Sequence, residues 1–364
     1  MAEFKILAIN PGSTSTKFGI FTDDRPLRLW SLRHRDEDMA PFKNRPIFDQ
    51  KTFRAEAIER ELTAGGFAIA ELGAAVGRGG LLPPLESGTY RVDAVMLEEL
   101  RLARRGEHAS NLGAVLAYEI ADRAGVEAFI VDPVSVNERS AKAMLSGSAL
   151  LERGDFCHAL NSRAIARRHA REQGRRYADL RLVVAHLGGG ICISAHEGGR
   201  MIDASDAQQE GPFSPERAGS VPALKLARLC FSGKYDKHQV ERMLVGEGGV
   251  FSYLGTTDLV EVEQRIARGD ERAALVFEAM AYQIAKEIGA MATVLEGRVD
   301  AILLTGGMAH SLALVRKITE GTGWIAPVVV YPGEEELLAL VEGALRVLRG
   351  EETAKLLSEP KSAS

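Results

Sequence analysis

The sequence predicts an α/β protein of two duplicated domains, and three observations carry that prediction. Strand-like and helix-like segments alternate along nearly the whole chain, which is the pattern of α/β architecture. The 364 residues exceed one ordinary core and suit two domains of about 150–200 residues each. An apolar strand that enters a glycine- or hydroxyl-bearing turn and returns as a second strand also occurs twice. It is seen at Ile6-Leu7-Ala8-Ile9-Asn10-Pro11-Gly12-Ser13 and at Val183-Val184-Ala185-His186-Leu187-Gly188-Gly189-Gly190. Two unrelated hairpins read the same way; duplication would give each domain one turn for a shared ligand.

The elements follow in order. Phe4–Ile9 is mostly apolar and predicts the first strand, Phe18–Thr22 the second and Leu27–Leu32 a third. Asp49–Leu62 predicts a helix, with Phe53, Ala57, Ile58 and Leu62 on one face and Gly65-Gly66 to stop it. A strand at Ala74–Val76 ends in Gly77-Arg78-Gly79-Gly80, and a hairpin is expected around Glu86–Thr89. Ser110–Arg123 aligns Leu112, Val115, Leu116 and Ile120 as a helix, and Ala128–Val131 is a buried strand closed by Asp132 and the chain-turning Pro133. The second half begins afresh with a helix at His158–Glu172. The strand Leu182–His186 opens into Gly188-Gly189-Gly190 and returns as Ile191–Ala195. A long helix over Glu271–Leu295 precedes the strand Ala301–Leu304, which closes on Thr305-Gly306-Gly307. A last strand, Val328–Tyr331, ends at Pro332-Gly333 before the helix Glu335–Leu348. Glu351–Ser364 is polar and expected to fray.

Composition narrows the function classes. At 46% apolar and 26% charged residues, the chain has the make-up of a soluble globular protein rather than a disordered one. A formal charge of −5 recommends neither a nucleic-acid partner nor an anionic membrane. Cys157, Cys192 and Cys230 lie far apart in sequence and in no metal-ligand spacing. Their odd number argues against a disulfide framework and for a reducing compartment. The N-terminal residues show no signal-peptide apolar stretch, and no apolar run reaches the roughly 18–20 residues of a membrane span. The expectation is a cytoplasmic protein.

Chemistry-bearing residues gather at strand ends. Asn10-Pro11-Gly12-Ser13-Thr14-Ser15-Thr16-Lys17 puts hydroxyls, a carboxamide and a lysine in one turn between strands. Such a turn can offer backbone N–H and hydroxyl donors to phosphate oxygens, although a polar surface turn has the same composition. The Walker spacing is absent, and a strand follows instead of a helix. Gly188-Gly189-Gly190 and Gly306-Gly307 allow a ligand close to the backbone, or simply a tight turn. Three such strand ends in one α/β chain favour a nucleotide site, since open α/β sheets bind ligands beyond their carboxyl ends. Arg78 and Arg217 each stand in a glycine-bearing loop, where a planar guanidinium can reach an anion or lie in solvent. His158 could cap a helix, Asp132 could end a strand, and Glu334-Glu335-Glu336 complements a helix dipole.

Taken together, these segments resemble the acetate and butyrate kinase family, within the superfamily of sugar kinases, heat-shock ATPases and actin. The resemblance runs from about Phe4 to Arg349. It is carried by Asn10–Lys17, Gly77-Arg78-Gly79-Gly80-Leu81-Leu82, Gly106-Glu107-His108-Ala109-Ser110-Asn111-Leu112-Gly113, Val131–Val134 and Cys157-His158-Ala159-Leu160-Asn161. Ala185–Gly190, Phe213–Arg217, Thr305–Ala309 and Pro332-Gly333 complete the ordered set. The segments at Glu107–Asn111 and His158–Asn161 look like the butyrate kinases of the family.

That resemblance implies two actin-like (ribonuclease H-like) domains with the active site in the cleft between them. The first would span residues 1–133 and regain 335–364; the second would span 134–334. It implies the reversible reaction ATP + butanoate ⇌ ADP + butanoyl phosphate with Mg²⁺, in a homodimer or larger homo-oligomer. A related short or branched acid, or a non-enzymatic nucleotide sensor, are the alternatives; in a sensor Arg78 and Arg217 would have no anionic acceptor. By resemblance, Arg78 and Arg217 hold the substrate carboxylate and the transferring phosphoryl group, and His158 donates a hydrogen bond to that group. Asp132 orients an arginine or the metal shell, while Asn10 and Glu335 match the Mg²⁺ positions. Pro332 sets the offset that favours Glu335 over Glu334 and Glu336. Ser13, Thr14, Ser15 and Lys17 lie on the first phosphate turn. His186, Gly188, Gly189 and Gly190 lie on the second, and Gly306 and Gly307 lie at the adenosine. Three departures stand out: Gly189 where acetate kinases carry Asn, Cys157 where they carry Phe, and Gly80 where they carry Val. The last two would enlarge an acyl pocket.

Overall fold

The computed structural model describes residues 3–43 and 45–357. The chain forms two compact units, Met1–Asn137 with Glu335–Ser364, and Glu138–Glu334.

The first unit is built on a six-stranded sheet in the order β3-β2-β1-β4-β6-β5. Its strands are β1 (Lys5–Pro11), β2 (Ser15–Thr22), β3 (Arg25–Arg33), β4 (Ala74–Arg78), β5 (Thr89–Arg91) and β6 (Glu127–Val131). β1 pairs antiparallel with β2 and parallel with β4, and β4 pairs parallel with β6. Successive side chains of β1 point to opposite faces, and both faces are covered, so six of its seven residues are buried. Leu7 and Ile9 join a core with Ile58 and Leu62 of the Lys51–Ala64 helix and Leu112, Val115 and Leu116 of the Asn111–Ala124 helix. Against the sheet also packs the Glu336–Leu348 helix, returned from the far end of the chain, whose Gly343 lies on Val131.

The second unit repeats this design. Its sheet runs β11-β10-β7-β8-β9, with β7 (Leu182–Leu187), β8 (Ile191–Glu197), β9 (Arg200–Ala204), β10 (Ala301–Gly306) and β11 (Val328–Pro332). Read from β9, it is antiparallel, antiparallel, parallel, parallel, the same sequence of pairings as β3-β2-β1-β4-β6. Val183, Ala185, Ile302 and Leu304 pack with the Glu271–Val294 helix; Leu182, Val184 and Leu303 pack with Ile165 and Ala166 of the Ala159–Glu172 helix. The long helix starts where the Asp270 carboxylate accepts the Ala273 N–H. It buries Phe277, Met280, Ile284 and Ile288 at three- and four-residue spacing. Each of these large side chains contributes about 1.5–3 kcal/mol through removal from water.

Some expectations are corrected. Glu86–Thr89 forms no hairpin; the chain instead enters β5, which pairs antiparallel with β6. The expected fraying fails for 351–357: Lys355 exchanges backbone hydrogen bonds with Thr89 and Arg91, and Leu357 is buried. The remainder of that segment, 358–364, lies outside the described residues. The helices Ala94–Leu102 and Leu312–Thr322, and four short ones between 223 and 267, are additional to those read from the sequence. No helix among the described residues is long and apolar enough to cross a membrane.

Candidate functional site

In the first unit the candidate residues stand at the carboxyl ends of the parallel strands. Asn10 lies opposite Lys17 across the β1–β2 pair, and opposed residues share a face. Ile9 pairs with Gly77, so Asn10 and Arg78 end neighbouring strands, and Arg78 in turn pairs with Val131, the residue before Asp132. Ser13, Thr14 and Lys17 are exposed and Ser15 is half-buried. Asp132 is buried in a left-handed conformation, φ 38°, with its Oδ1 accepting the Gly88 N–H at 2.8 Å.

The carboxylate at Asn10 belongs to Glu336, not to Glu335. Glu336 Oε2 accepts from the Asn10 amide, and its Oε1 is ion-paired with the Arg78 guanidinium. Helix phase decides the matter. Glu335 occupies the N-cap, where its carbonyl accepts the Ala339 N–H, whereas Glu336 opens the helix four residues before the fully buried Leu340. A residue and its i+4 neighbour lie on one face, and here that face carries the buried residues.

Gly80 does not open an acyl pocket. A Cβ built there would lie 2.5 Å from Asn111 Cα and 2.8 Å from the Leu100 side chain. The glycine lets the strand exit pack onto the next helix start. Cys157 is likewise no pocket wall, because it is buried and disulfide-bonded to Cys192, with a Cα–Cα separation of 5.9 Å. This corrects the expectation from the odd cysteine count. Thirty-five residues separate the pair in sequence, but β8 returns from the glycine turn with Cys192 opposite His186. Cys230 is the free, exposed thiol.

In the second unit His158 occupies the N-cap of Ala159–Glu172 and stacks on His186, ring centroids 3.8 Å apart and 11° from parallel. His186 is almost fully buried; its Nδ1 lies 2.9 Å from Asn161 Oδ1 and its Nε2 3.1 Å from Glu334 Oε1. Both ring nitrogens are thus engaged by protein groups. Gly188–Gly190 turns the chain next to this pair, closed by a Gly188 N–H to Gly190 carbonyl bond of 3.3 Å. Arg217 lies directly on the turn: a Cβ at Gly190 would meet its Nη1 at 2.2 Å. The guanidinium donates from Nη1 to the Ala207 carbonyl at 2.9 Å, while its buried Nε–H has no hydrogen-bond partner among the described residues. Burial depresses the Arg217 pKa, with Glu216 and Asp206 acting in opposition.

Gly306, at φ 92°, ends β10 against the Leu187 carbonyl and exchanges backbone hydrogen bonds with Gly333. A cavity of about 440 Å³ opens beside it, lined by Gly188, Gly189, Glu216, Glu263, Gly307 and Ser311 among others. That volume lies in the range of small-molecule sites. The second glycine turn and Gly307 are thereby brought to one cavity.

Sequence reasoning set Glu336 and Glu334 behind Glu335 in the run of three glutamates, quoted Asn161 only as part of a motif although it holds His186, and passed over Arg54, beneath the first turn. For Arg54 a signal was present, an arginine in the apolar stripe between Phe53 and Ala57.

Residues 153–322 match the family model described as the acetokinase family. Among solved structures, the chain is similar to acetate kinase from Porphyromonas gingivalis, with 20% identity, TM-score 0.79, and coverage of 95% of this chain and 100% of that one. It is similar to a propionate kinase from Francisella tularensis subsp. tularensis SCHU S4, with 17% identity, TM-score 0.75, and coverage of 93% and 98%. It also resembles acetate kinase from Entamoeba histolytica, with 15% identity, TM-score 0.73, and coverage of 94% and 99%. At these identities the structural likeness carries the fold: the two-unit α/β architecture of this chain is shared with these kinases.

Proposed function

We propose that the chain is a carboxylate phosphotransferase of the acetate kinase type, a reading supported by the family-model match over residues 153–322 and by the shared fold, and that it catalyses ATP + butanoate ⇌ ADP + butanoyl phosphate. The observation that carries the phosphotransfer reading is Arg217, a half-buried arginine laid on a glycine turn with its buried Nε–H unpaired among the described residues. An orphaned cationic donor of this kind suits an anion that arrives with the substrate. What supports a four-carbon acid is the sequence at 107–111 and 158–161; Gly80 and Cys157 lend it nothing.

Butanoate is already ionised at neutral pH, as any simple carboxylic acid is, so no strong base is needed. The work lies in bringing an anion to the anionic γ-phosphate and stabilising the charge on its equatorial oxygens. We assign that stabilisation to Arg78 and Arg217, with a hydrogen bond from His158. His186 supports His158 by stacking, and Asp132 fixes the backbone where β6 ends. The turn at Ser13–Lys17 and the turn at Gly188–Gly190 receive phosphates, and the cavity at Gly307 receives the adenosine.

The residues fit Mg²⁺. Asn10 and Glu336 offer hard oxygen donors side by side, and no group of three or more His, Cys, Asp or Glu among the described residues could cage a metal. Few protein ligands with water and phosphate oxygens completing the shell is the habit of Mg²⁺. When bound, the ion neutralises charge on the phosphates; Asn10 and Glu336 would hold it, and Arg78 fixes the Glu336 carboxylate. We also infer self-association through the Ala223–Cys230 helix, which buries none of its residues and is followed by the exposed Phe231.

The test is acyl phosphate formation, trapped as hydroxamate, with ATP, Mg²⁺ and acetate, propionate, butanoate or isobutyrate. The expected result is the highest kcat/KM with butanoate. A preference for acetate would overturn the substrate and leave the reaction class standing; no product with any acid would overturn both.

A further inference from the structure

Among the described residues Arg54 carries the largest fully buried side chain, with 0% exposure. It rises from the Lys51–Ala64 helix into the underside of the Gly12–Thr16 turn. Nη1 donates to the Gly12 carbonyl at 2.9 Å, the Ser15 carbonyl at 3.2 Å and Thr16 Oγ1 at 3.0 Å. Nη2 donates to the Ser13 carbonyl at 3.0 Å. Nε and Nη2 share Gln50 Oε1 at 3.0 and 2.9 Å. Every one of these acceptors is neutral, and no carboxylate among the described residues is ion-paired with this guanidinium. The other titratable group at the cluster is His34, whose Nε2 lies 2.8 Å from Thr16 Oγ1. Burial, then the Arg54 charge, lower its pKa against the opposing pull of Asp38, so it stays neutral and adds no second cation.

Two consequences follow. In a trans peptide the C=O and N–H point opposite ways, and the described residues contain no cis bond. Drawing the Gly12 and Ser13 carbonyls inward therefore turns the Ser13 and Thr14 N–H groups outward, on residues that are exposed. Adjacent outward N–H groups form an anion-binding concavity. In addition, a buried cation without a counter-ion is costly, and here only one peptide layer separates it from that concavity.

We propose that Arg54 is the positioning residue of the phosphate turn: it holds the turn's carbonyls from beneath, and its charge is balanced by the phosphate that docks on the Ser13 and Thr14 N–H groups. This inference rests on the reading of the turn as a phosphate site. It requires no contact between Arg54 and the ligand.

The decisive variant is Gln50→Glu in the full chain, which places a carboxylate on Arg54 while keeping its fork and the turn in place. Thermal melts and ATP titrations, each with and without Mg²⁺, are made beside Arg54→Lys and Arg54→Met. The expected result is a Gln50→Glu protein that melts higher than wild type without ligand yet binds ATP about three- to tenfold more weakly, the effect of cancelling a poorly screened unit charge. The KM for ATP should rise by a similar factor with kcat less affected. Arg54→Lys should bind ATP more tightly than Arg54→Met, because it keeps the charge. A Gln50→Glu protein that binds ATP within twofold of wild type would overturn the proposal, whether or not Arg54→Met folds. If wild type itself neither binds ATP nor is stabilised by it, the reading of the turn fails first.

Discussion

Arg217 and Gly190 depend on each other. The guanidinium occupies the volume a β-carbon would take, so its position is set by the absence of a side chain as much as by its own hydrogen bond to Ala207. Arg217→Ala should lower kcat by about 10³–10⁵, the range for a charge-stabilising arginine in phosphoryl transfer. Arg217→Lys should recover part, lacking the planar fork. Steady-state kinetics within threefold of wild type would remove Arg217 from the reaction. Glu336 carries a second prediction. Glu336→Gln should raise the Mg²⁺ concentration needed for half-maximal rate at least tenfold, while Glu335→Gln should leave it near wild type. The reverse order would return the metal to the N-cap residue. At Gly80, valine would collide with Asn111, and overpacking of this kind costs about 1–3 kcal/mol or more. The expected outcome of Gly80→Val is a lower Tm with an unchanged butanoate-to-acetate ratio. A shifted ratio in a protein of normal Tm would show that this position does meet the acid.

At the scale of elements, the disulfide ties the loop before the Ala159–Glu172 helix to the strand after the glycine turn. Closing a loop of 35 residues removes unfolded-state entropy of about 3–4 kcal/mol in the chain-entropy picture, so Cys192→Ser should lower stability by that order. Intact-mass measurement under alkylation should find one modified cysteine, Cys230, before reduction and three after denaturing reduction. Three modified without reductant would show the bridge absent. β8 also carries His196, fully buried between Ser194 Oγ and the Tyr177 hydroxyl. Burial pushes its pKa down to about 3. The folded state therefore keeps His196 neutral where the unfolded chain, near 6.5, takes up a proton. This stability is fully present above pH 6.5 and falls with decreasing pH, the folding constant dropping about tenfold per unit until pH 3. His196→Asn should lower Tm at pH 7 but flatten its decline between pH 6.5 and 5. An unchanged slope would mean the histidine titrates freely.

At the scale of the whole molecule, the strands that enter the motifs were legible because apolar runs such as Leu182–Leu187 are buried on both faces and announce themselves in composition. The pairing order was only hinted at by the echo between Ile6–Ser13 and Val183–Gly190, since sheet order is a long-range property. The short helices between 223 and 267 were not legible: several carry exposed apolar residues such as Leu224, Tyr253 and Val260, so their periodicity marks no core. The turns and Arg217 were readable as candidates from local spacing. The partners of Glu336, Asn161, Glu334 and Arg54 were not, because each acts on residues at least 25 positions away, a distance at which one sequence shows nothing of contact. The disulfide escaped for the same reason.

The Glu336–Leu348 helix, finally, makes the first unit discontinuous. Leu340, Val341 and Ala344 are buried, and this helix packs on β1, β4 and β6. A ribosome releases that helix only after all of Glu138–Glu334 has been made. At about 5–20 residues per second, the nascent first sheet waits roughly 10–40 seconds with an apolar face uncovered. The first half to be synthesised is thus the last able to finish folding, and the carboxylate that reaches Asn10 and Arg78 arrives with the segment that closes it.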